Sequence, residues 1–496
     1  MNRKQQETPI FTAVKNYVND NTIPFHVPGH KQGRGCEELT QFLGYNTMSI
    51  DLTCFPDTDN ILNPKGVIKE AQELAAQTFG ADKCFFLTNG TTCGIQAMIM
   101  SVCKPGDKII IPRNAHKSTF GGLVLSGALP IYIRPEYSER FGISMGVTPE
   151  AIEATLQEHP DTKAVFVINP NYYGTASNLK KIVEICHKRE IPVLVDEAHG
   201  GHLHLSDKLP PSAMELGADL SASSTHKLLG SLTQSSMLFL REGLIDSQTV
   251  KSTLNITQTT SPSYILLSSL DVARKQIALH GREMVAKALY LAELCRKEIA
   301  RIPGLELFEP EHPSPGCYSF DITKITVNVQ NLGMSGYEVE ALLRSKYHIQ
   351  VELSDLYNVM FLISLADNEE TIAYLVKALK DIVSSRNTRN VVKYCPPWPV
   401  IPPMSVSPQQ ARYSTTKTVP LEEAVGEVSA ETIMAYPPGI PIVCPGEYIT
   451  SEIVDYVKIL KSENADLQGT EDPEIQRIKV LKSAFTLIEE EVGSAG

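Results

Sequence analysis

Short apolar runs ending on polar or small residues recur along this chain, separated by stretches whose apolar residues return every three or four positions. Cys84 to Leu87, Ile109 to Pro112, Ala164 to Ile168, Val193 to Asp196 and Leu220 to Ser223 have the length and apolar content of buried strands. Helices are predicted between them: Val67 to Phe79, one opened by Thr88-Asn89-Gly90-Thr91-Thr92 and running through Val102, one started by Thr148-Pro149-Glu150, and Asn178 to Arg189 with Leu179, Ile182 and Ile185 on one face. Such alternation predicts an α/β fold with a mainly parallel sheet and right-handed crossovers. Gln234 to Leu240 reads as one more strand, at a sheet edge.

Outside this region the pattern changes. Thr8-Pro9 starts a short helix to about Asn19, with Thr8 as its cap. A long helical pattern runs from Tyr264 to about Ile302, followed by strand Ile325 to Val329 and helix Gly336 to Lys346, which suits a smaller α+β unit. Pro396-Pro397-Trp398-Pro399 and Pro402-Pro403 mark a stiff linker. The expected division is an N-terminal arm (1–35), a large domain (36–275), a small domain with its linking helix (276–390) and a C-terminal domain (391–496).

In an open parallel sheet, ligands gather at the carboxyl ends of the strands. Asp196 stands at one such end, and the run ending at Ser223 delivers Ser224, His226 and Lys227 to the same edge. Singly, an acid after a strand is usually a turn residue and a Ser-x-His-Lys a surface segment. Together they have the parts of a pyridoxal phosphate site: an amine for the aldehyde, an acid for the ring nitrogen, a hydroxyl for the phosphate. Gly90, Thr91 and Thr92 open a helix whose free N–H groups suit an anion, although the same turn also serves as a cap. His199, His202 and His204, beside Asp196 and Glu197, offer metal-ligating atoms. No matching ligand stands elsewhere and a metal leaves Lys227 unexplained, so none is assigned.

Asp196-Glu197-Ala198-His199-Gly200 and Ser224-Thr225-His226-Lys227 resemble the cofactor motifs of the pyridoxal-phosphate-dependent ornithine/lysine/arginine decarboxylases, in particular the short bacterial arginine decarboxylase type. Pro28-Gly29-His30-Lys31, Asn114-Ala115-His116-Lys117-Ser118, Thr259-Thr260-Ser261-Pro262-Ser263-Tyr264, Tyr436-Pro437-Pro438-Gly439-Ile440-Pro441 and Pro445-Gly446-Glu447 resemble further motifs of that family, in order along nearly the whole chain. The resemblance implies an aspartate-aminotransferase-like (fold type I) large domain, a smaller α+β domain and a C-terminal domain. It implies that pyridoxal 5'-phosphate is held by Gly90, Thr91, Thr92 and Ser224 at the phosphate, His116 flat on the ring, Asp196 at the ring nitrogen, Lys227 at the aldehyde, and Ala198, His199 and His226 beside them.

The implied reaction is decarboxylation of a basic amino acid, arginine to agmatine first and lysine or ornithine as alternatives, in polyamine biosynthesis. Lys227 and His226 are both candidates to return a proton once carbon dioxide has left. An aminotransferase would need a small-domain arginine for the substrate carboxylate, and no such motif is present. A catalytically inert relative would not need the full set of Lys227, Asp196 and His116. Asp57, Asp59, Glu352, Asp355 and Glu447 are the acids in family-like motifs that are candidates for the substrate's distal cation. Asp57-Thr58-Asp59-Asn60-Ile61 departs from the commoner Leu-Asp-Asp-Leu, which leaves the substrate open. The resemblance also implies a homodimer, or a higher homo-oligomer, with its pocket at the subunit interface.

At 496 residues and 42% hydrophobic, the chain can bury a large core. Its formal charge of −12 argues against nucleic acid as a partner and suits a cationic small molecule. No run approaches the ~18 apolar residues of a membrane span. Met1-Asn2-Arg3-Lys4-Gln5-Gln6 has no apolar signal core behind it, so the expected location is the cytoplasm. Ten cysteines without a Cys-x-x-Cys pair point to reduced thiols.

Overall fold

The computed structural model describes residues 3–385, 399–435 and 439–482. Its central sheet has seven strands: β1 (Lys83–Leu87), β2 (Lys108–Pro112), β3 (Leu129–Ile133), β4 (Ala164–Ile168), β5 (Val193–Asp196), β6 (Leu220–Ser223) and β7 (Ser236–Leu240). Their spatial order is β1-β7-β6-β5-β4-β2-β3. The pairs from β6 through β5, β4 and β2 to β3 are all parallel. Every residue of β4 is buried, as a strand covered by helices on both faces requires.

One strand is not where the sequence pattern put it. β7 is no edge: it pairs antiparallel with β6 on one side and with β1 on the other, Lys83 opposite Leu240 through to Leu87 opposite Ser236. All of its side chains are buried, which an inner strand can sustain and an edge strand rarely can. The edge falls to β1, which enters with the exposed Lys83.

The helices that position the sheet are α1 (Pro9–Asn19), α2 (Val67–Phe79), α3 (Gly90–Val102), α4 (Leu179–His187) and α5 (Tyr264–Ile299). The cap of α1 comes from a distant helix. Thr8 makes no side-chain cap, and instead Asp271 in α5 accepts the N–H groups of Ile10 at 2.9 Å and Phe11 at 3.3 Å. Arg274 pairs with Asp271 at 2.8 Å and donates to the carbonyl of Gln5, so the N-terminal arm is pinned to α5 by a fully buried ion pair.

At 36 residues, α5 is long enough to serve two cores. Tyr264, Leu267, Leu270, Ile277 and Val285 join the core of the central sheet. Leu291, Cys295 and Ile299 pack instead with Ile325, Val327 and Leu379. That second core lies against a four-stranded antiparallel sheet of β8 (Glu306–Leu307), β9 (Lys324–Asn328), β10 (Leu353–Ser354) and β11 (Asn358–Leu362), in the order β8-β9-β11-β10. Helices α6 (Gly336–Tyr347) and α7 (Glu369–Ser384) belong to the same unit. α6 starts with a capping box in which Ser335 and Glu338 satisfy each other's backbone.

The C-terminal segment has its own core around Ile433, Ile442, Val443, Ile453 and Val457, joined by Leu356 and Tyr357. Of its family-like motif, residues 436–438 lie outside the described residues, as do residues 396–398 of the proline-rich linker. Arg113, directly after β2, fastens this segment to the central sheet. Its guanidinium reaches Glu447 at 2.8 Å, the carbonyl of Ile442 at 3.1 Å and Cys444 Sγ at 3.0 Å. The two charged side chains are 3% and 1% exposed.

Removing one partner of such a pair strands the other charge, typically at ~3–5 kcal/mol, whereas replacing both with apolar residues costs far less. Glu447→Leu is therefore expected to lower the urea midpoint sharply, and Arg113→Met/Glu447→Leu to recover most of the loss. Equal midpoints for the single and double variants would show that the pair does not fasten the segment.

Candidate active site

Five loops meet at the carboxyl edge of the sheet, each leaving the end of a strand. β1 leads into Gly90 and Thr91 at the start of α3, β2 into His116, β4 into Asn169-Pro170, β5 into Asp196 to His199, and β6 into Ser224 to Lys227. The convergence follows from topology, because right-handed crossovers return every parallel strand with its carboxyl end on the same side.

Lys227 sits in a one-turn helix (Thr225–Leu228), and its Nζ donates to Nε2 of the buried His199 at 2.7 Å. Burial lowers the Lys227 amine below its ordinary value; Glu352 and Asp196 oppose that fall and Lys324 adds to it. His199 is pushed well below the usual histidine range by burial first and then by Lys227 and Lys324, so its ring is neutral and accepts. Accepting at Nε2 puts the ring proton on Nδ1, which has no hydrogen-bond partner among the described residues. Tyr172 packs edge-on against the ring at 5.1 Å.

Asp196 is 5% exposed, and its Oδ1 accepts the N–H of Ala198 at 3.1 Å. It forms no ion pair with the described residues, and burial raises its carboxyl above the ordinary value despite Ala198 and Lys227. His226 donates Nδ1–H to the carbonyl of Ser235 at 2.8 Å, and burial lowers its value. His116 is half-buried and caps the helix that follows it: its Nδ1 accepts the N–H of Ser118 at 3.2 Å. Burial, Lys227 and Lys117 bring it down to about 4.

Hydroxyls gather at the start of α3. Thr91 Oγ1 lies 2.5 Å from Ser224 Oγ and 2.7 Å from Ser236 Oγ, while Asn89 leaves the helix N-terminus without a side-chain cap. Gly90 holds φ +75°, a conformation that favours glycine at this turn. The Thr92 side chain is exposed and takes no part in the hydroxyl cluster.

The structure thus gathers Gly90, Thr91, His116, Asp196, Ala198, His199, Ser224, His226 and Lys227 at one edge. The five candidate acids separate. Three of these substrate candidates are engaged within the protein instead: Asp59 accepts the N–H groups of Asn60, Lys65, Gly66 and Ile68, Asp355 those of Tyr357 and Asn358 together with the Tyr173 hydroxyl at 2.8 Å, and Glu447 is spent on Arg113. Asp57 is exposed beside Tyr17. Only Glu352, on the segment entering β10, acts on the charge of both Lys227 and His226.

The three histidines of the 199–204 segment face different partners: His199 meets Lys227, His202 meets Asp321 at 3.1 Å, and His204 packs on Phe79 at 4.6 Å. Sequence reasoning missed Ser236, whose hydroxyl sits inside an otherwise apolar strand, and the pair Asp321 and Lys324, three residues apart at the start of β9.

The sequence profile of the Orn/Lys/Arg decarboxylase major domain matches residues 8–371, and that of the Orn/Lys/Arg decarboxylase C-terminal domain matches residues 389–483. The chain belongs to the Orn/Lys/Arg decarboxylase family. An arginine decarboxylase from Halalkalibacterium halodurans is 46% identical over 484 residues, which is 97% of this chain and 98% of that one. The solved structure of the Escherichia coli constitutive lysine decarboxylase superposes with a TM-score of 0.81 at 22% identity, over 96% of this chain and 82% of that one. A ureidoglycine-glyoxylate aminotransferase from Bacillus subtilis superposes with a TM-score of 0.53 at 16% identity, over 65% of this chain and 85% of that one. At these identities the two structures speak to the fold, which is the aspartate-aminotransferase-like α/β arrangement.

In this Orn/Lys/Arg decarboxylase family member a second buried acid lies behind Asp196. Glu197 accepts from Ala213 N–H and from the Ser221 hydroxyl, both at 2.7 Å, and burial pushes it up to about 8. Its folded value lies above the unfolded 4.5, so its contribution to stability is present below that pH and lost as pH rises toward about 8. His116 and His204, held down to about 4 from 6.5, have the opposite sign: their contribution is present above 6.5 and lost as pH falls toward about 4. Glu197→Gln is expected to melt above the parent at about pH 8, with the gap closing toward pH 4.5. A gap that stays constant across a pH series of thermal melts would rule this out.

Proposed function

We propose that the protein is a pyridoxal-phosphate-dependent decarboxylase that converts L-arginine to agmatine and carbon dioxide, working as a homodimer. The observation that carries the cofactor assignment is the pairing, at one sheet edge, of a buried carboxylate with no ion pair among the described residues, Asp196, and a buried amine, Lys227. A carboxylate destabilised by burial gains from a cationic ring nitrogen, and an amine lowered by burial is more readily nucleophilic. The uncapped start of α3, with the Thr91 and Ser224 hydroxyls, suits a phosphate. On this reading Lys227 holds the aldehyde, Asp196 the ring nitrogen, His116 one ring face, Ala198 and His199 the surroundings, and Gly90 to Thr92 with Ser224 the phosphate.

When bound, pyridoxal phosphate supplies an aldehyde for the substrate amine and an electron-withdrawing ring that accepts the electron pair left by departing carbon dioxide. Asp196, ionised against that ring, keeps its nitrogen protonated. His226 is neutral and its Nδ1–H is committed to Ser235, so its Nε2 carries no proton to give. Lys227 is then the side chain that returns a proton, and His199 holds its amine toward the pocket.

Arginine is favoured by the 46% identity to a protein of that name. Glu352 supports it, as the one candidate acid acting on Lys227: a free carboxylate can take two N–H donors of a guanidinium side by side. The homodimer is supported by apolar residues left open on the N-terminal segment, Phe25 at 95% exposure and Phe42 at 87%, flanking the Pro28-Gly29-His30-Lys31 motif.

The decisive assay is carbon dioxide release from arginine, lysine and ornithine side by side. Arginine is expected to lead; a tenfold preference for either other amino acid would overturn it. Lys227→Ala is expected to lose both the visible absorbance of the bound cofactor and turnover. Glu352→Gln is expected to raise the KM for arginine roughly tenfold or more with cofactor absorbance intact.

For the assembly, sedimentation at micromolar concentration is expected to give a dimer or larger. Phe25→Asp/Phe42→Asp is expected to shift it toward monomer. An active parent that sediments only as monomer would end the dimer proposal.

A further inference from the structure

Behind the candidate site lies a buried charged cluster that the reaction itself does not call for. Lys324 and Asp321 are each 0% exposed and pair at 3.1 Å across the turn that enters β9. Asp321 also meets His202 Nε2 at 3.1 Å and accepts the Thr323 hydroxyl at 2.7 Å. Lys324 Nζ donates to the backbone carbonyl of His199 at 3.3 Å. The cluster joins two units of the fold: Lys324 opens β9 of the four-stranded sheet and Asp321 and Thr323 lie in the turn before it, while His199 and His202 come from the loop after β5.

Several contacts make this junction rigid. Asp321 N–H donates to the carbonyl of Gly174 at 2.9 Å. A side chain at Gly174 would run into the Asp321 carbonyl at 2.7 Å and the Lys324 stem at 3.0 Å, so the β4 loop is packed directly on the cluster. Burial alone would raise the Asp321 carboxyl, but Lys324, His202 and Thr323 outweigh it and hold it well below the usual range. Asp321 is therefore a standing negative charge at neutral pH.

A buried ion pair of this kind is a poor source of stability, since apolar residues of similar volume do as well. Its specific consequence here is positional and electrostatic. The cluster grips the backbone of the residue whose ring receives the Lys227 amine, and it sets a second ammonium near the first. We infer that Lys324 and Asp321 are positioning residues for the reaction, holding His199 against Lys227 and fixing the charge balance around that amine from the neighbouring unit of the fold. This rests on the reading of Lys227 as the reactive amine.

The groups facing Lys227 are Asp196 at the end of β5, His199 after it, His116 after β2, Glu352 entering β10, Lys324 on β9 and His226 in its own turn. Lys324 acts on Lys227 directly and in the direction that favours the neutral amine, whereas Asp321 balances Lys324 and His199. The two substitutions therefore have opposite signs. Lys324→Met raises the pH at which the Lys227 amine becomes reactive, and Asp321→Asn, which leaves Lys324 unbalanced, lowers it.

The test uses the full-length chain cleared of cofactor with hydroxylamine. Formaldehyde and cyanoborohydride are applied across a pH series, and dimethylation of the Lys227 peptide is read by mass spectrometry. Relative to the parent, the reactivity midpoint is expected to rise by roughly half a unit or more in Lys324→Met, to fall by a smaller amount in Asp321→Asn, and to stay in Lys324→Arg. Midpoints that do not move, or that move in the same direction in both variants, overturn the inference, because loosened packing alone predicts no opposed signs. If either single variant fails to fold, the charge-free Asp321→Asn/Lys324→Met variant decides against Lys324→Arg. A rise in the double with none in Lys324→Arg supports the inference, and any other pair of results overturns it. A parent in which Lys227 is no more reactive than surface lysines counts instead against the proposed function.

Discussion

Water stabilises ions better than any protein interior does, and Asp196 and Lys227 have both been taken out of it. The rest of the molecule can be understood as the means of keeping them there. The parallel sheet brings their two strand ends side by side, and helices close both of its faces. Behind them, the four-stranded unit seats Lys324 and Asp321 against His199. Asp196 forms no ion pair among the described residues, and its buried carboxylate accepts a single backbone N–H, that of Ala198. An uncompensated acid in a closed site is a standing affinity for a cation.

The parts of this arrangement that were legible in the sequence are those set by local periodicity. Ala164 to Ile168 and Val193 to Asp196 read as buried strands because nothing polar interrupts them, and Asp196 and Lys227 were found because each follows such a strand. What a run cannot carry is its neighbour. β7 looked like an edge because it comes last in its series, yet its partner β1 lies some 150 residues earlier and antiparallel. The acids failed for a related reason. Asp59, Asp355 and Glu447 stand in motif-like surroundings, but the groups that consume them are backbone amides, Tyr173 and Arg113, far away or invisible in composition. Lys324 gave no signal at all, since a lysine three residues after an aspartate is ordinarily a surface pair.

The C-terminal segment has an indirect tie to the chemistry. Arg113 is followed by Asn114, Ala115 and His116, so the residue that clamps Glu447 lies three positions from the imidazole proposed to face the cofactor ring. Tyr132 beneath the guanidinium, at 5.0 Å, and the carbonyl of Ile442 fix its plane. A shift of the segment therefore pulls on the loop after β2.

The sharing of α5 between two cores bears on how the chain is made. Residues 264–289 complete the core of the central sheet, whereas Leu291, Cys295 and Ile299 wait for Ile325, Val327 and Leu379. On a ribosome adding roughly 5–20 residues each second, the apolar far end of the helix is uncovered for on the order of ten seconds after the near end has docked. During that interval the growing chain is a folded body with a sticky rod protruding from it.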